Sequence, residues 1–300
     1  MEKHDIAQNI DLADVLLKEE KYTEAISLLE KIYQSHPNEE SVLLRLAWSF
    51  WDSGDKTGSL HYWQILLDRE LQRQVFTGFA YDELVRIYKQ ENRIEDLVAL
   101  CEKAARVQPE DIGILEELGN AYLLSAQNSK ACDVFRKLTL LENDNPSYFR
   151  HLGESLMAAE DFSSAEEAFR EAGRIDPVEA DRYLFQASAL FVKKGRFEAA
   201  KTLLEECLTI APSNSLYYCF MGDLLIMLKQ PDQALTAYET ACCHNFASAG
   251  AYYNRLGNSF MKAGFFQNAV NAFEKALSLD PSIPCRDNLA MSRRASGQNA

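Results

Sequence analysis

Small residues recur along this chain every 34 to 35 positions, and that beat constrains the fold more than any other feature. Gly119, Gly153, Gly222 and Gly257 each follow a Leu or Met. Ala131, Ala165, Ala200, Ala234 and Ala269 step by 34, 35, 34 and 35. Pro109, Pro177, Pro212 and Pro281 each close an apolar-periodic run. Self-similarity at this period marks stacked supersecondary units, none of which can bury a core alone. The 300 residues therefore read as one continuous array, with function sought on a surface rather than in an enclosed core.

Each unit reads as two helices. Between about 146 and 179, Phe149, Leu152, Gly153 and Leu156 share one helical face, at i, i+3, i+4 and i+7. A turn containing Glu160 and Asp161 follows. Ala165, Phe169 and Ala172 then form the stripe of a second helix that stops near Pro177. Gly153 and Ala165 are small enough to let the paired helices approach closely.

The same grammar returns in Leu118-Gly119, Tyr122, Ala131 and Phe135, and in Ala187, Phe191, Ala200, Leu204 and Pro212. It returns again in Met221-Gly222, Leu225, Ala234, Tyr238 and Ala241, and in Leu256-Gly257, Phe260, Ala269, Phe273, Ala276 and Pro281. Nearer the start stand Leu84, Tyr88, Leu97, Cys101, Ala104 and Pro109, preceded by Leu12-Ala13, Leu16, Ala25, Leu29, Ile32 and Pro37.

This pattern resembles the tetratricopeptide repeat family, whose unit carries Leu-Gly, an aromatic, Ala, an aromatic, Ala and a closing Pro at set offsets. The resemblance covers about residues 6 to 282, or about eight units. It implies an all-α fold, a right-handed superhelical solenoid of antiparallel helix pairs whose first helices line a concave groove. Residues 1–282 are read as one solenoid, and 283–300 as a capping helix followed by a disordered tail. In that tail region a helix opening at Pro284 would cover the exposed last unit with Leu289 and Met291, and SGQNA would be disordered.

Two places leave the register. In the unit from about 40 to 77, Ser59 takes the alanine position, and the next unit starts four residues late. The irregularity spans 59–79, and the stretch from Asp68 to Phe79 holds either an extended second helix or a longer connection. In NDNPS, Pro146 opens the next helix rather than ending the previous one, as a first-turn proline does.

For this family, function is carried by outward side chains on the first helices. In register these are Trp48 and Trp51; Asp82, Arg86 and Lys89; Glu116 and Asn120; and Arg150, Glu154 and Met157. They continue with Phe185, Ala189 and Val192; Asp223, Ile226 and Met227; and Asn254, Asn258 and Lys262. Trp48 and Trp51, at i and i+3, either anchor a peptide or pack against each other and the irregular segment. Trp63 falls at an aromatic core position. Asn254 and Asn258 have amides suited to an extended backbone, although exposed asparagines need no ligand.

Arg86, Lys89 and Arg150 could meet carboxylates of a ligand, or be neutralised by Asp82, Glu116 and Glu154. Phe185, Val192, Ile226 and Met227 make the middle apolar, which suits an apolar or amphipathic segment. Ile10 and Asp14 occupy the first-unit positions where some relatives carry a carboxylate clamp for chaperone tails, and they do not match it.

Composition bears on what remains. Apolar residues make up 47% and charged residues 25%, and the net charge of -14 is the wrong sign for nonspecific nucleic-acid binding. No run of 18 apolar residues predicts membrane insertion, and the acidic start MEKHDIAQNIDLAD lacks the apolar stretch of a signal peptide. Seven cysteines without C-x-x-C spacing fit reduced core positions, and a cytoplasmic location is expected. The adjacent pair Cys242 and Cys243 points in directions about 100° apart on a helix, unsuited to a metal or a bridge.

Phosphate loops, H-E-x-x-H and dinucleotide glycine loops are all missing, and the five histidines are scattered. His151 and Glu154, at i and i+3, read as an ordinary surface pair rather than an acid–base couple. No catalytic residue, metal or cofactor is expected. The leading reading is a noncatalytic scaffold that binds a protein or peptide segment in its groove. The alternatives are a structural or self-associating assembly factor, which includes homo-oligomerisation, and a regulatory subunit of a partner enzyme.

Overall fold

The computed structural model describes residues 3–73 and 78–297, and every element among them is helical. The chain divides into two compact units, Met1–Val134 and Phe135–Ala300. In the N-terminal unit, the helices are α1 (Lys3–Lys18), α2 (Tyr22–Ser35), α3 (Glu40–Asp52), α4 (Lys56–Arg73), α5 (Phe79–Gln90), α6 (Ile94–Val107) and α7 (Ile112–Leu124). The division falls within α8 (Asn128–Leu141). The C-terminal unit continues with α9 (Pro146–Ala158), α10 (Phe162–Ile175), α11 (Ala180–Lys193), α12 (Phe197–Ile210) and α13 (Ser215–Met227). It ends with α14 (Pro231–His244), α15 (Ala249–Ala263), α16 (Phe266–Leu279) and α17 (Arg286–Ala295), with one 3-10 turn at Phe246–Ser248.

Leaving aside α8, in which the division falls, an odd-numbered helix in each unit packs on the even-numbered helix that follows it, and that helix packs on the next odd one. This is the arrangement of antiparallel helix pairs that the repeat resemblance implied. In the C-terminal unit neighbouring first helices also touch, α9 with α11 and α13 with α15.

The small residues work as steric gates. A Cβ on Gly153 would lie 2.7 Å from the Phe169 ring, and one on Gly257 would lie 2.6 Å from the Phe273 ring. The close partner of the glycine is thus the second helix's aromatic residue rather than its alanine. Ala165, Phe169, Ala269 and Phe273 are all fully buried. In the irregular unit Gly58 lies against Phe50, Ser59 is fully buried at the alanine position, and Trp63 is fully buried beside it.

The turns keep time as well. Glu20, Gly54, Asn92, Ala126, Glu160, Gly195, Lys229 and Gly264 each stand just past a first helix with positive φ. In most of these turns the next N–H closes back on a carbonyl five residues earlier, as Asp161 does to Leu156 and Gln230 to Leu225. That is the Schellman closure, which satisfies carbonyls the helix leaves open.

The step from Gly54 to Asn92 is four residues longer than its neighbours. Accordingly α4 has 18 residues, where α2, α6, α10, α12, α14 and α16 have 14. Residues 74–77, the rest of the predicted irregular stretch, lie outside the described residues.

Pro146 opens α9 as expected, with Asn145 accepting a hydrogen bond from the Ser147 N–H at 3.1 Å. At the C-terminal end, α17 starts at Arg286 and packs on α16. Leu289 is buried, but Met291 is exposed, and Ser292 takes the buried position expected for it. Leu289 and Ser292 are i and i+3 on the packed face, whereas Met291 lies about 200° from Leu289. Of the predicted disordered tail, 298–300 lie outside the described residues.

Candidate functional site

Many of the predicted outward positions of the first helices engage side chains of their own or the neighbouring helices. In the N-terminal unit, Trp48 on α3 meets the edge of Trp63 at 5.4 Å between ring centroids. Trp51, one turn on, lies under the Arg86 guanidinium of α5, 4.7 Å from its ring centroid. The two tryptophans, read as sharing one face, therefore find different neighbours, and both are half-buried. Arg86 also pairs with Glu83 at 2.7 Å and hydrogen-bonds Gln90 at 3.1 Å.

Lys89 on α5 pairs with Glu117 on α7 at 2.7 Å. The neutralising carboxylates are thus Glu83 and Glu117, each one residue beyond the predicted Asp82 and Glu116. Around Asp82, Arg86 and Lys89 lies a cleft of about 610 Å³ between α5 and α7, lined also by Tyr81 and Asp111. Burial raises the Asp82 carboxyl, helped by the negative charges of Glu83, Asp111 and Glu117. Asn120 is half-buried on α7.

In the C-terminal unit, Arg150 donates to Glu154 at 2.8 Å and contacts His151 Nε2 at 2.7 Å. The imidazole stacks on Phe135 at 5.1 Å, and its Nδ1 lies 3.2 Å from Glu154. Gln186 on the next first helix donates to the same carboxylate. Burial works against the Glu154 charge, but the His151 hydrogen bond and the Arg150 charge outweigh it and hold the carboxyl below its ordinary value. The predicted surface pair is therefore part of a half-buried network.

Phe185 on α11 stacks on Tyr217 at 4.8 Å and meets Phe220 edge-on at 5.0 Å. Asp223 accepts from buried Tyr238 at 2.7 Å, from Ser259 at 2.6 Å and from Arg255 Nε at 2.9 Å. It ties α13 to α14 and α15.

Asn258 donates to Asn254 at 3.4 Å, and its own oxygen accepts from Asn288 of α17 at 2.8 Å. The terminal helix thus uses a position read as ligand-binding.

One rule covers these pairs. Asp14–Arg45, Lys89–Glu117, Glu154–Gln186, Asp223–Arg255 and Asn258–Asn288 all join neighbouring first-helix positions across one repeat step. In the C-terminal unit an apolar cavity of about 550 Å³ lies open at the ends of α13 and α15. Phe197, Phe220, Ile226 and Met227 line it with Lys229 and Lys262. Phe197, Phe220 and Lys229 were not among the predicted groove residues. Phe197 opens a second helix and Lys229 lies in a turn, where no positions had been counted. Phe220 stands three residues before Asp223 and one repeat step of 35 after Phe185, a first-helix position left out of the register. Conversely Met157 and Ile226, read as groove positions, are 2% exposed, because each follows its close-packed glycine by four residues and shares its face.

Among the described residues no cluster of three or more His, Cys, Asp or Glu is placed to hold a metal ion. Burial pushes the thiols of Cys101, Cys207 and Cys219 up to about 12, so they are not nucleophilic at neutral pH. No described helix is long and apolar enough to cross a membrane.

Tetratricopeptide repeat family models match residues 10–69 and 150–215, and a further one matches 250–283, together more than half of the chain. Tetratricopeptide repeat protein 34 of Xenopus laevis is 26% identical over 263 residues, covering 87% of this chain and 37% of its own length. The BBSome complex member BBS4 homolog of Drosophila melanogaster is 23% identical over 203 residues, covering 67% of this chain and 41% of its own length. The chain therefore spans about two fifths of the length of these relatives. A solved tetratricopeptide repeat protein from Parabacteroides merdae shares the fold, at 16% identity and a TM-score of 0.50 over 84% of this chain and 98% of that one.

Proposed function

The chain belongs to the tetratricopeptide repeat family, and from that premise we propose that it is a noncatalytic scaffold holding a segment of a partner protein on its first-helix face. About eight repeats serve this role in our reading. One observation carries the choice of site. Many polar groups of that face are consumed by pairing between neighbouring helices, while the cavity at the ends of α13 and α15 is left open with an apolar floor. A preformed apolar surface binds without first ordering a loop, so more of the contact energy appears as affinity.

The use of six cysteines as buried core side chains supports a reducing, cytoplasmic setting, which is part of the same proposal. Membership of a larger assembly is a second reading, favoured by the Drosophila relative being named as a complex member.

A photo-crosslinking residue tests the site. Placed at Met227, which lines the cavity, it should capture a discrete partner from cells, whereas placed at exposed Glu239 on the second helix it should not. Equal capture from both positions, or capture only from Glu239, would remove the first-helix face as the binding surface.

A further inference from the structure

The charges around the cavity differ from those of the rest of the molecule. The chain carries a net charge of -14, yet the rim of this cavity carries Lys229 and Lys262. Neither lysine's ammonium makes an ion pair or a hydrogen bond with any described residue. Lys229 is held in the left-handed turn after α13 with its ammonium 5.4 Å from the centroid of the Phe265 ring. Lys262 is exposed in the last turn of α15.

Asp223 is the lining carboxylate, and its oxygens are already occupied by Tyr238, Ser259 and Arg255. It therefore offers little to a ligand and offsets little of the lysine charge. The other cations read as groove positions stand differently, since Arg86, Lys89 and Arg150 all have carboxylate partners of their own. A ligand carboxylate would have to displace those partners, and at Lys229 and Lys262 it meets no carboxylate already paired with the ammonium.

The floor is apolar and fixed. Phe220 is held edge-on by Phe185, and Met227 is 47% exposed, so an incoming side chain would cover surface that now faces water. A volume of about 550 Å³ is within the range of side-chain and small-ligand pockets.

On the reading that this cavity holds a partner segment, we propose that it selects one in which an apolar anchor is flanked by Asp or Glu, with the anchor on Phe220 and Met227 and the carboxylates at Lys229 and Lys262. Charge complementarity at such a rim acts mainly through partner choice and association rate. Binding should therefore weaken as salt rises.

The test uses the full chain and a random-peptide phage library, followed by anisotropy measurements on the selected peptides. Selected peptides should carry Glu or Asp beside Leu, Met or Phe, and their binding should be lost on Met227→Asp. Lys229→Glu with Lys262→Glu should weaken them roughly tenfold or more, and exchanging Glu for Lys in the peptide should restore binding to that variant. Both lysines are exposed, and an unchanged helical signal would show that the fold is kept; Lys262→Gln alone should give a partial loss. Peptides that require Met227 but are neutral or basic, or that ignore the lysine reversals, would overturn the charge selectivity and leave the groove reading standing. If no selected peptide depended on Met227, the groove reading itself would fall, and this proposal with it.

Discussion

Gly257 on α15 lies directly against the buried ring of Phe273 on α16, so closely that a Cβ there would sit 2.6 Å from the ring. Phe273 is fully buried and has no room to withdraw. Gly257→Ala should therefore destabilise the protein by about 1–3 kcal/mol, the usual cost of overpacking a filled core. Gly113 is the control. Its added Cβ would meet only Asp111 Oδ1, at an ordinary 3.5 Å, so Gly113→Ala should be neutral or stabilise by about 0.5 kcal/mol through helix propensity. Urea denaturation should lower the midpoint of the Gly257 variant and leave that of the Gly113 variant unchanged or raised. A loss at Gly113 equal to that at Gly257 would show that steric gating is not what the periodic glycine does.

The left-handed turns supply the second prediction. Ala126 has φ of 57°, and a residue with a Cβ is strained there. Glycine relieves that strain but gives the unfolded chain more freedom, so the net gain of Ala126→Gly should be about 0.5–1 kcal/mol. The Gln127 N–H bond to Tyr122 is unaffected by the change. A higher urea midpoint with an unchanged slope is the expected result, and a lower midpoint would mean that the turn carries no strain.

These turns also show where reading the sequence reached its limit. The helix pairs were legible because glycine, alanine, aromatic and proline repeat as residue types at packed positions, as Gly153, Ala165, Phe169 and Pro177 do. The turns repeat just as strictly in backbone conformation, but Glu20, Asn92, Ala126, Glu160 and Lys229 share no chemical type. The first-helix faces were legible as positions and not as partners. Lys89 reaches Glu117 rather than Glu116 because pairing depends on how two helices are rotated against each other, and no spacing within one helix encodes that. Asn258 was read as open because its partner Asn288 lies in the terminal helix, beyond the repeats that set the register.

Glu154 makes stability depend on pH. Its carboxyl is held below the ordinary 4.5 by His151 and Arg150, against the opposing effect of burial. A carboxylate with a lower pKa in the folded state adds stability above its unfolded pKa, and that stability is lost as pH falls through the folded value. Wild-type protein should thus exceed Glu154→Gln in stability near neutrality, and the gap should narrow as pH drops below about 4.5. Titrations of groups remote from Glu154 are the same in both proteins and cancel in the difference. Urea midpoints of the pair across acidic pH measure it, and a gap independent of pH would show that the Glu154 charge adds nothing.

The cation over Trp51 can be isolated by a double-mutant cycle. Arg86 lies 4.7 Å from the Trp51 ring centroid and also pairs with Glu83 and hydrogen-bonds Gln90, so Arg86→Met alone removes three interactions. Trp51→Leu removes the ring but leaves the Glu83 pair. The coupling between the two changes then isolates the ring–guanidinium contact, expected at about 0.5–1 kcal/mol for a partly exposed site. A coupling near zero would mean that the two groups are merely adjacent. A coupling of the expected size has a consequence for binding, because any ligand that used Trp51 as an anchor would first have to lift Arg86 from its face. An aromatic anchor at Trp51 would then start at a disadvantage to the cavity at Met227, which is itself 47% exposed.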